Sequence, residues 1–254
     1  MPPPVTVSGP MPASAFLEHQ ERERLQSQYA EIAALAGGLA HEIKNPLSTI
    51  SMNLELLAEE LEQGDSPRDR RMLGRIARVR GECGRLEHIL DAFLQFARAG
   101  ELKLVETDLN ELLREFIDFY LPRAAERRIE ISPHLAADLP PVLIDRSLIR
   151  QALENLALNA EQAMPDGGLL ELQTSSADDQ VRLELIDNGV GMDPQTQARM
   201  FQVFFSTRRG GSGLGLPTAR KIVEAHRGSI VCDSEPGRGT RFSIALPSCD
   251  PAAI

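Results

Sequence analysis

Two runs of apolar residues at alternating four- and three-residue spacing constrain this chain more than any other feature. Ile43, Leu47, Ile50, Leu54, Leu57 and Leu61 form the first run. Met72, Ile76, Val79, Cys83, Leu86, Leu90, Phe93 and Ala97 form the second. This spacing returns each residue to one side of an α-helix and predicts a coiled-coil seam. Gly64-Asp65-Ser66-Pro67 interrupts the pattern between the runs, so the two helices are expected to form an antiparallel hairpin. Two helices with narrow apolar stripes cannot complete a core, and pairing of two hairpins into a four-helix bundle, hence a homodimer, is the economical solution. Residues 15–65 hold ten acids and three bases, whereas residues 66–98 hold four acids and eight bases, so the helices attract as neighbours. The stretch from Arg68 to Arg85 reads as a solvated face. Gly74, Gly81 and Gly84 inside the second helix each cost about 1 kcal/mol relative to alanine, which points to a helix held by packing.

Charge and composition exclude several function classes. The net charge is −10, and a nucleic-acid binder needs a basic surface instead. No apolar run approaches about 18 residues and no signal peptide is read, so neither membrane insertion nor export is expected. Three cysteines without metal-ligand spacing suit ordinary packing in a reducing cytoplasm. Residues 1–13 hold five of the 17 prolines and no charged side chain, so they read as a disordered tail. Residues 14–99 read as the helical hairpin, and 102–248 as a mixed domain of strands and helices whose glycines concentrate after Gly167. Residues 249–254 read as a second tail.

The apolar positions shift register near His41. Leu35, Leu39, Ile43 and Leu47 follow one another at spacings of four, a stutter that locally relaxes a supercoil. His41 is two residues from Leu39 and from Ile43, which places it away from the seam and toward solvent. Pro46 cannot donate to the carbonyl of Glu42, so a kink is expected within a turn of the histidine. An exposed histidine is by default a bystander; the adjacent carboxylate and the kink make this one a candidate. Gly38-Leu39-Ala40-His41-Glu42-Ile43-Lys44-Asn45-Pro46-Leu47 resembles the phosphoacceptor motif of two-component sensor histidine kinases. The resemblance implies that His41 accepts the γ-phosphoryl group of ATP and that Glu42 orients the imidazole and takes its proton. It also implies that Asn45, on the same face one turn on, positions water when the phosphorylated partner is dephosphorylated.

The second domain spreads its polar signals over several segments. Asp145 is expected to cap a helix with Leu148, Ile149, Leu153, Leu156, Ala157 and Ala160 on its buried face. Asn155 and Asn159 fall on one side of that helix, where they either bond to each other or present neutral oxygens to Mg²⁺ and phosphate. The alternating strand Val181–Ile186 runs into Asp187-Asn188-Gly189-Val190-Gly191, which reads equally as a tight turn or as a carboxylate beside a flat ligand. Phe201, Phe204, Phe205, Ser206-Thr207-Arg208-Arg209 and Gly210-Gly211-Ser212-Gly213-Leu214-Gly215-Leu216 precede a helix opened by Pro217. Glycine amides before a helix N-terminus make an anion site, and the apolar residues argue against a solvated linker. The spacing is neither a Rossmann fingerprint nor a P-loop. Pro236-Gly237-Arg238-Gly239-Thr240 joins two further strands.

Taken in order, these segments resemble the N, G1, F, G2 and G3 boxes of the histidine-kinase ATPase domain, whose superfamily includes gyrase B, heat-shock protein 90 and MutL. The resemblance covers about residues 30–247 and implies an α + α/β protein: a helical hairpin followed by an α/β-sandwich ATP-binding domain. By the same resemblance Asn159 is the main Mg²⁺ ligand and Asn155 its helper. Asp187, with Gly189 and Gly191, reads the adenine; Arg208, Gly211, Gly213, Leu214, Gly215 and Thr240 surround the phosphates. The hydrolytic cousins carry a glutamate where Asn155 stands, so transfer to a side chain is expected rather than hydrolysis. The short lid departs from many relatives in carrying Arg208 and Arg209 where they have lysine, while Phe204-Phe205-Ser206-Thr207 and the shortness of the lid resemble soluble nitrogen-regulation-type kinases. The expected partner is the receiver domain of a response regulator, with regulator dephosphorylation as an accompanying activity. No sensor domain is read before the hairpin, so a separate protein or the N-terminal helix is expected to bring the signal. The rivals are an ATP-binding scaffold or net phosphatase, against which His41 and Glu42 weigh, and an ATPase clamp, which would need the missing glutamate.

Overall fold

The computed structural model describes residues 43–62, 66–98, 102–208 and 211–249. His41, Glu42, Arg209, Gly210 and the tail at 1–13 lie outside the described residues, as does the carbonyl on which the Pro46 kink would depend; of the tail at 249–254 only Cys249 is described, and its amide donates to the Pro141 carbonyl (2.7 Å).

Helix α1 (43–62) and helix α2 (Pro67–Arg98) form the hairpin. Asp69 and Ser66 secure the start of α2: the Ser66 hydroxyl donates to Asp69 Oδ2 (2.6 Å) and accepts from the Asp69 amide (3.1 Å). The heptad seam divides in two. Leu47, Ile76 and Cys83 are buried, and Leu54, Leu61, Leu90 and Phe93 are half-buried. Ile43, Ile50 and Leu57 on α1, and Met72, Val79 and Leu86 on α2, are exposed. Each exposed trio repeats at a spacing of seven, so every heptad sends one apolar residue between the two helices and leaves another uncovered. Among the described residues, ion pairs link the acidic helix to the basic one: Lys44 with Asp91 (2.5 Å) and Arg80 with Glu55 (3.5 Å). Both are exposed, so their contribution is small beside that of the apolar contacts.

The second part comprises β1 (Val105–Thr107), α3 (Leu109–Glu126), β2 (Ile129–His134), β3 (Val142–Ile144), α4 (Arg146–Ala163), β4 (Gly168–Ala177), β5 (Gln180–Asp187), α5 (Pro194–Arg199), α6 (Gly215–Ala225), β6 (Ser229–Glu235) and β7 (Gly239–Pro247). Five strands make a sheet in the order β2-β4-β5-β7-β6, in which β2 is parallel to β4 and the other pairs are antiparallel. Strands β1 and β3 form a separate antiparallel pair. Alternate residues of the central strands, among them Leu170, Leu172, Leu183, Leu185, Phe242, Ile244 and Leu246, are buried in one cluster with apolar residues of α3, α4 and α6. The period of two along the strands and the 3.6-residue period along the helices meet at this layer.

Asp145 caps α4 as the sequence indicates, accepting from the Ser147 (3.0 Å) and Leu148 (3.2 Å) amides, and Asp108 caps α3 in the same way. Pro217 sits in the first turn of α6 rather than opening it, because the helix begins at Gly215. One expectation needs correction. Phe204 was grouped with the packed residues of the lid, yet it is 63% exposed and has a left-handed backbone (φ 64°). Its amide donates to the Gly213 carbonyl (3.0 Å), and a Cβ on Gly213 would stand 2.5 Å from the Phe204 carbonyl carbon. The two backbones are locked together, which turns the aromatic ring outward. Phe201 and Phe205 remain half-buried, with Arg220 (5.3 Å) and Arg199 (4.3 Å) over their rings.

Candidate functional site

Helix α4 is buried along Ile149, Ala152, Leu153, Leu156, Ala157 and Ala160, so its opposite side is free to carry Asn155, Asn159 and Gln162. These side chains border a cleft of about 970 Å³ that Gly191, Arg208, Gly211, Gly213, Leu214, Gly215 and Thr240 also line. Nine of the residues expected to bind nucleotide therefore converge on one cavity from four chain segments: α4, the loop after β5, the lid and β7. Arg208 reaches α4 from the lid. Its Nη1 donates to Asn159 Oδ1 (3.5 Å) and to Gln162 Oε1. Sequence reasoning missed Gln162, although its place three residues after Asn159 and seven after Asn155 puts it on the same helical face.

Asp187 and Gly189 do not line the open cavity; Asp187 is bonded to Thr240, which does, and Gly189 is bonded to Asp187. The Asp187 carboxylate accepts from the Gly189 amide (2.9 Å) and from the amide of Thr240, its neighbour across the sheet. Only 3% of Asp187 is exposed, and burial pushes its carboxyl above the usual range, opposed by these two amides and by the charge of Arg208. Glycine is required around it. A Cβ on Gly189 would stand 2.6 Å from the Ala163 carbonyl, and Gly191 has φ +66° with the Glu235 carbonyl 1.9 Å from where a Cβ would be. Ser234 fixes this corner by accepting from the Met192 amide (2.9 Å) and donating to the Gly239 carbonyl (2.9 Å).

Leu214 stands at the N-cap of α6 and provides no side-chain cap, so the first-turn amides of that helix border the cleft with their donors uncapped. Gly215 keeps the approach to α4 narrow: a Cβ there would be 3.4 Å from Asn155 Oδ1. A cavity lined by amides, Arg208 and carboxamides, with the buried Asp187 carboxylate just behind its lining at Thr240, suits a planar hydrogen-bonding ring joined to a polyanion. Among the described residues no group of three or more His, Cys, Asp or Glu could hold a metal ion. A hard cation here would take oxygen from Asn155 and Asn159 and its remaining ligands from phosphate and water, a donor set that suits Mg²⁺. Asn45 lies on α1 and is not among the lining residues; its carbonyl accepts from the Thr49 hydroxyl (3.0 Å). The cleft also takes in Gly81, Gly84, Arg85, Ile89 and Asp91 of α2, which the sequence did not connect with it.

The three cysteines are reduced. Cys83 is buried in the hairpin, and burial, with nearby Asp233 and Asp187, pushes the Cys232 thiol up to about 12.

Comparison with known proteins adds an independent line. Residues 31–102 match the His Kinase A (phospho-acceptor) domain, and residues 144–249 match the family described as histidine kinase-, DNA gyrase B-, and HSP90-like ATPase. The chain is 32% identical over 231 residues to sporulation kinase E of Bacillus subtilis (strain 168), covering 91% of this chain and 30% of that protein. It is 31% identical over 235 residues to the signal transduction histidine-protein kinase AtoS of Escherichia coli (strain K12), covering 92% of this chain and 38% of AtoS. The chain thus spans less than half the length of either relative. Among solved structures, full-length ShkA in complex with AMPPNP is similar at a TM-score of 0.67 and 31% identity, over 85% of this chain and 46% of that one. The histidine kinase ThkA in complex with the response regulator protein TrrA is similar at a TM-score of 0.62 and 28% identity, over 93% of this chain and 66% of that one.

Proposed function

The chain belongs to the two-component sensor histidine kinases, and on that premise we propose that it is an ATP-dependent autokinase that phosphorylates His41 and passes the group to an aspartate on a response-regulator receiver domain. One observation carries the reading: a single chain joins the phosphoacceptor motif at His41 to a cleft built from Asn155, Asn159, Arg208, Gly191 and the lid glycines Gly211, Gly213 and Gly215.

In this reading Asp187 accepts from the adenine amino group, held in place by the Gly189 and Thr240 amides. The α6 amides, Gly211, Gly213 and Arg208 hold the phosphates. Asn155 and Asn159 would hold Mg²⁺, whose charge would offset that of the phosphates. An imidazole nitrogen of His41 attacks the γ-phosphorus while its bond to the β–γ bridging oxygen breaks. ADP leaves with that electron pair, and the ring proton passes to Glu42. The resulting phosphoramidate is a donor to the regulator aspartate, and Asn45 orients water for dephosphorylation of the regulator. The active form is a homodimer through the exposed heptad stripes, and the site of action is the cytoplasm, where ATP and the regulator are present. Among the described residues no helix is long and apolar enough to cross a membrane.

Incubation with Mg²⁺ and γ-labelled ATP tests this directly. Wild-type chain is expected to retain a base-stable, acid-labile label that His41→Gln lacks. No label on wild type that still binds ATP, or equal label on the variant, would overturn the assignment.

A further inference from the structure

The cleft is not built by the α/β half alone. Gly81, Arg85 and Ile89 follow one another at four-residue spacing, so one face of α2 turns toward the cavity that holds Asn155, Asn159 and Arg208. Nothing lies within 4 Å of the place a Cβ would occupy on Gly81 or Gly84, so these glycines are not there for close packing in this arrangement. They leave the helix bare beside Arg85 and give its guanidinium room. The other charged residue that α2 adds to the lining, Asp91, is neutralised by Lys44 at 2.5 Å. Among the described residues, Arg85 has an exposed contact to Glu82 one turn back (3.5 Å), a pairing of little strength that leaves most of its five donors for another acceptor. Among the described residues that line the cleft, the cations are Arg85 and Arg208. The lining also carries Asp193, so Arg208 alone does not balance a triphosphate there.

We propose that Arg85 is a second phosphate-binding residue, supplied by the hairpin to the nucleotide that the α/β half holds. The inference rests on the ATP reading above and adds to it that the occupied cleft draws α2 against that half. A guanidinium suits this role because its planar fork can bond two phosphate oxygens at once, which an ammonium cannot reproduce.

The experiment is calorimetric titration of the full chain and its Arg85→Ala and Arg85→Lys variants with a non-hydrolysable ATP analogue plus Mg²⁺, and separately with adenosine. Arg85→Ala is expected to weaken the analogue about tenfold, the loss of one charge-assisted contact, and to leave adenosine unchanged, with Arg85→Lys between the two. Unchanged affinity for the analogue in Arg85→Ala would overturn the proposal. So would equal weakening of both ligands, which would mark Arg85 as structural. Failure of the wild-type chain to bind either ligand would instead remove the ATP reading, and the proposal with it.

Discussion

Asp187 ends β5 with an ionisable group in a nearly dry position, and its environment works against its charge. Burial raises its pKa above that of an unfolded aspartate, so above that range the ionised carboxylate is better accommodated in the unfolded chain than in the folded one. At neutral pH the charge therefore costs stability, and its retention points to a ligand that needs a charged acceptor. Asparagine has the same shape and can accept from the same two amides. Asp187→Asn is expected to bind an ATP analogue about tenfold more weakly, since a charged acceptor is the stronger one, while its Tm at pH 7 is no lower than wild type. Titration calorimetry and thermal unfolding measure the two quantities; a fall in Tm alongside the affinity would mark Asp187 as a structural residue. Much of this was legible in the sequence, because Asp187-x-Gly189-x-Gly191 lies on contiguous residues. The exposed, strained Phe204 was not, because its orientation depends on Gly213, nine residues away, meeting its backbone.

The elements that hold the site are tied together by polar groups buried in the core. Tyr120 Oη donates to Glu161 Oε2 (2.8 Å), and Arg123 Nε (2.6 Å) and Arg127 Nε (3.2 Å) pair with the same carboxylate, fixing α3 against the side of α4 away from Asn159. Burial raises the Glu161 carboxyl, but the Arg123 and Tyr120 hydrogen bonds outweigh it and hold the group ionised below its usual range. At the other end of α4, Asp145 accepts from the Lys103 amide (3.0 Å), so the segment leaving the hairpin is fastened to the helix that carries Asn155 and Asn159. His226, at the end of α6, accepts the Asp145 amide at Nε2 (2.9 Å) and donates from Nδ1 to the Ile222 carbonyl (2.7 Å), which requires the neutral ring. Burial depresses its pKa below the ordinary 6.5, with Asp145 opposing. The unfolded chain therefore takes up the proton first, and stability falls as pH drops through 6.5 toward the folded value. The urea midpoint is expected to decline between pH 7.5 and 5.5, with a shallower decline in His226→Gln; identical slopes would show that the protons enter elsewhere.

At the scale of the whole molecule, the hairpin is half of an unfinished core. Ile43, Ile50, Leu57, Met72, Val79 and Leu86 are 38–51% exposed along two heptad stripes, more apolar surface than a hairpin leaves to water without a partner. In sedimentation, wild type is expected to be dimeric. Ile50→Glu combined with Val79→Glu should shift it to monomer and keep ATP-analogue affinity within about twofold, as neither residue lines the cleft. A monomeric wild type, or a dimer unmoved by two buried charges, would remove the four-helix bundle from the account.

The sequence by itself determined the hairpin helices, the helix capped by Asp145, the strand that ends at Asp187 and the residue types of the site, because each depends on neighbours within a few positions: heptad spacing, caps such as Asp145, and glycines at turns. It also determined the paired carboxamides, since a helix places positions four apart on one face. Only the tertiary structure decided which of these signals share a cavity. Arg208 meets Asn159 and Gln162 across more than forty residues of chain, Asp187 meets Thr240 through the register of β5 and β7, and α2 brings Arg85 to the cleft. No local spacing encodes those meetings; they follow from the way the apolar faces of α3, α4 and α6 pack on the sheet and leave their polar sides to form the site.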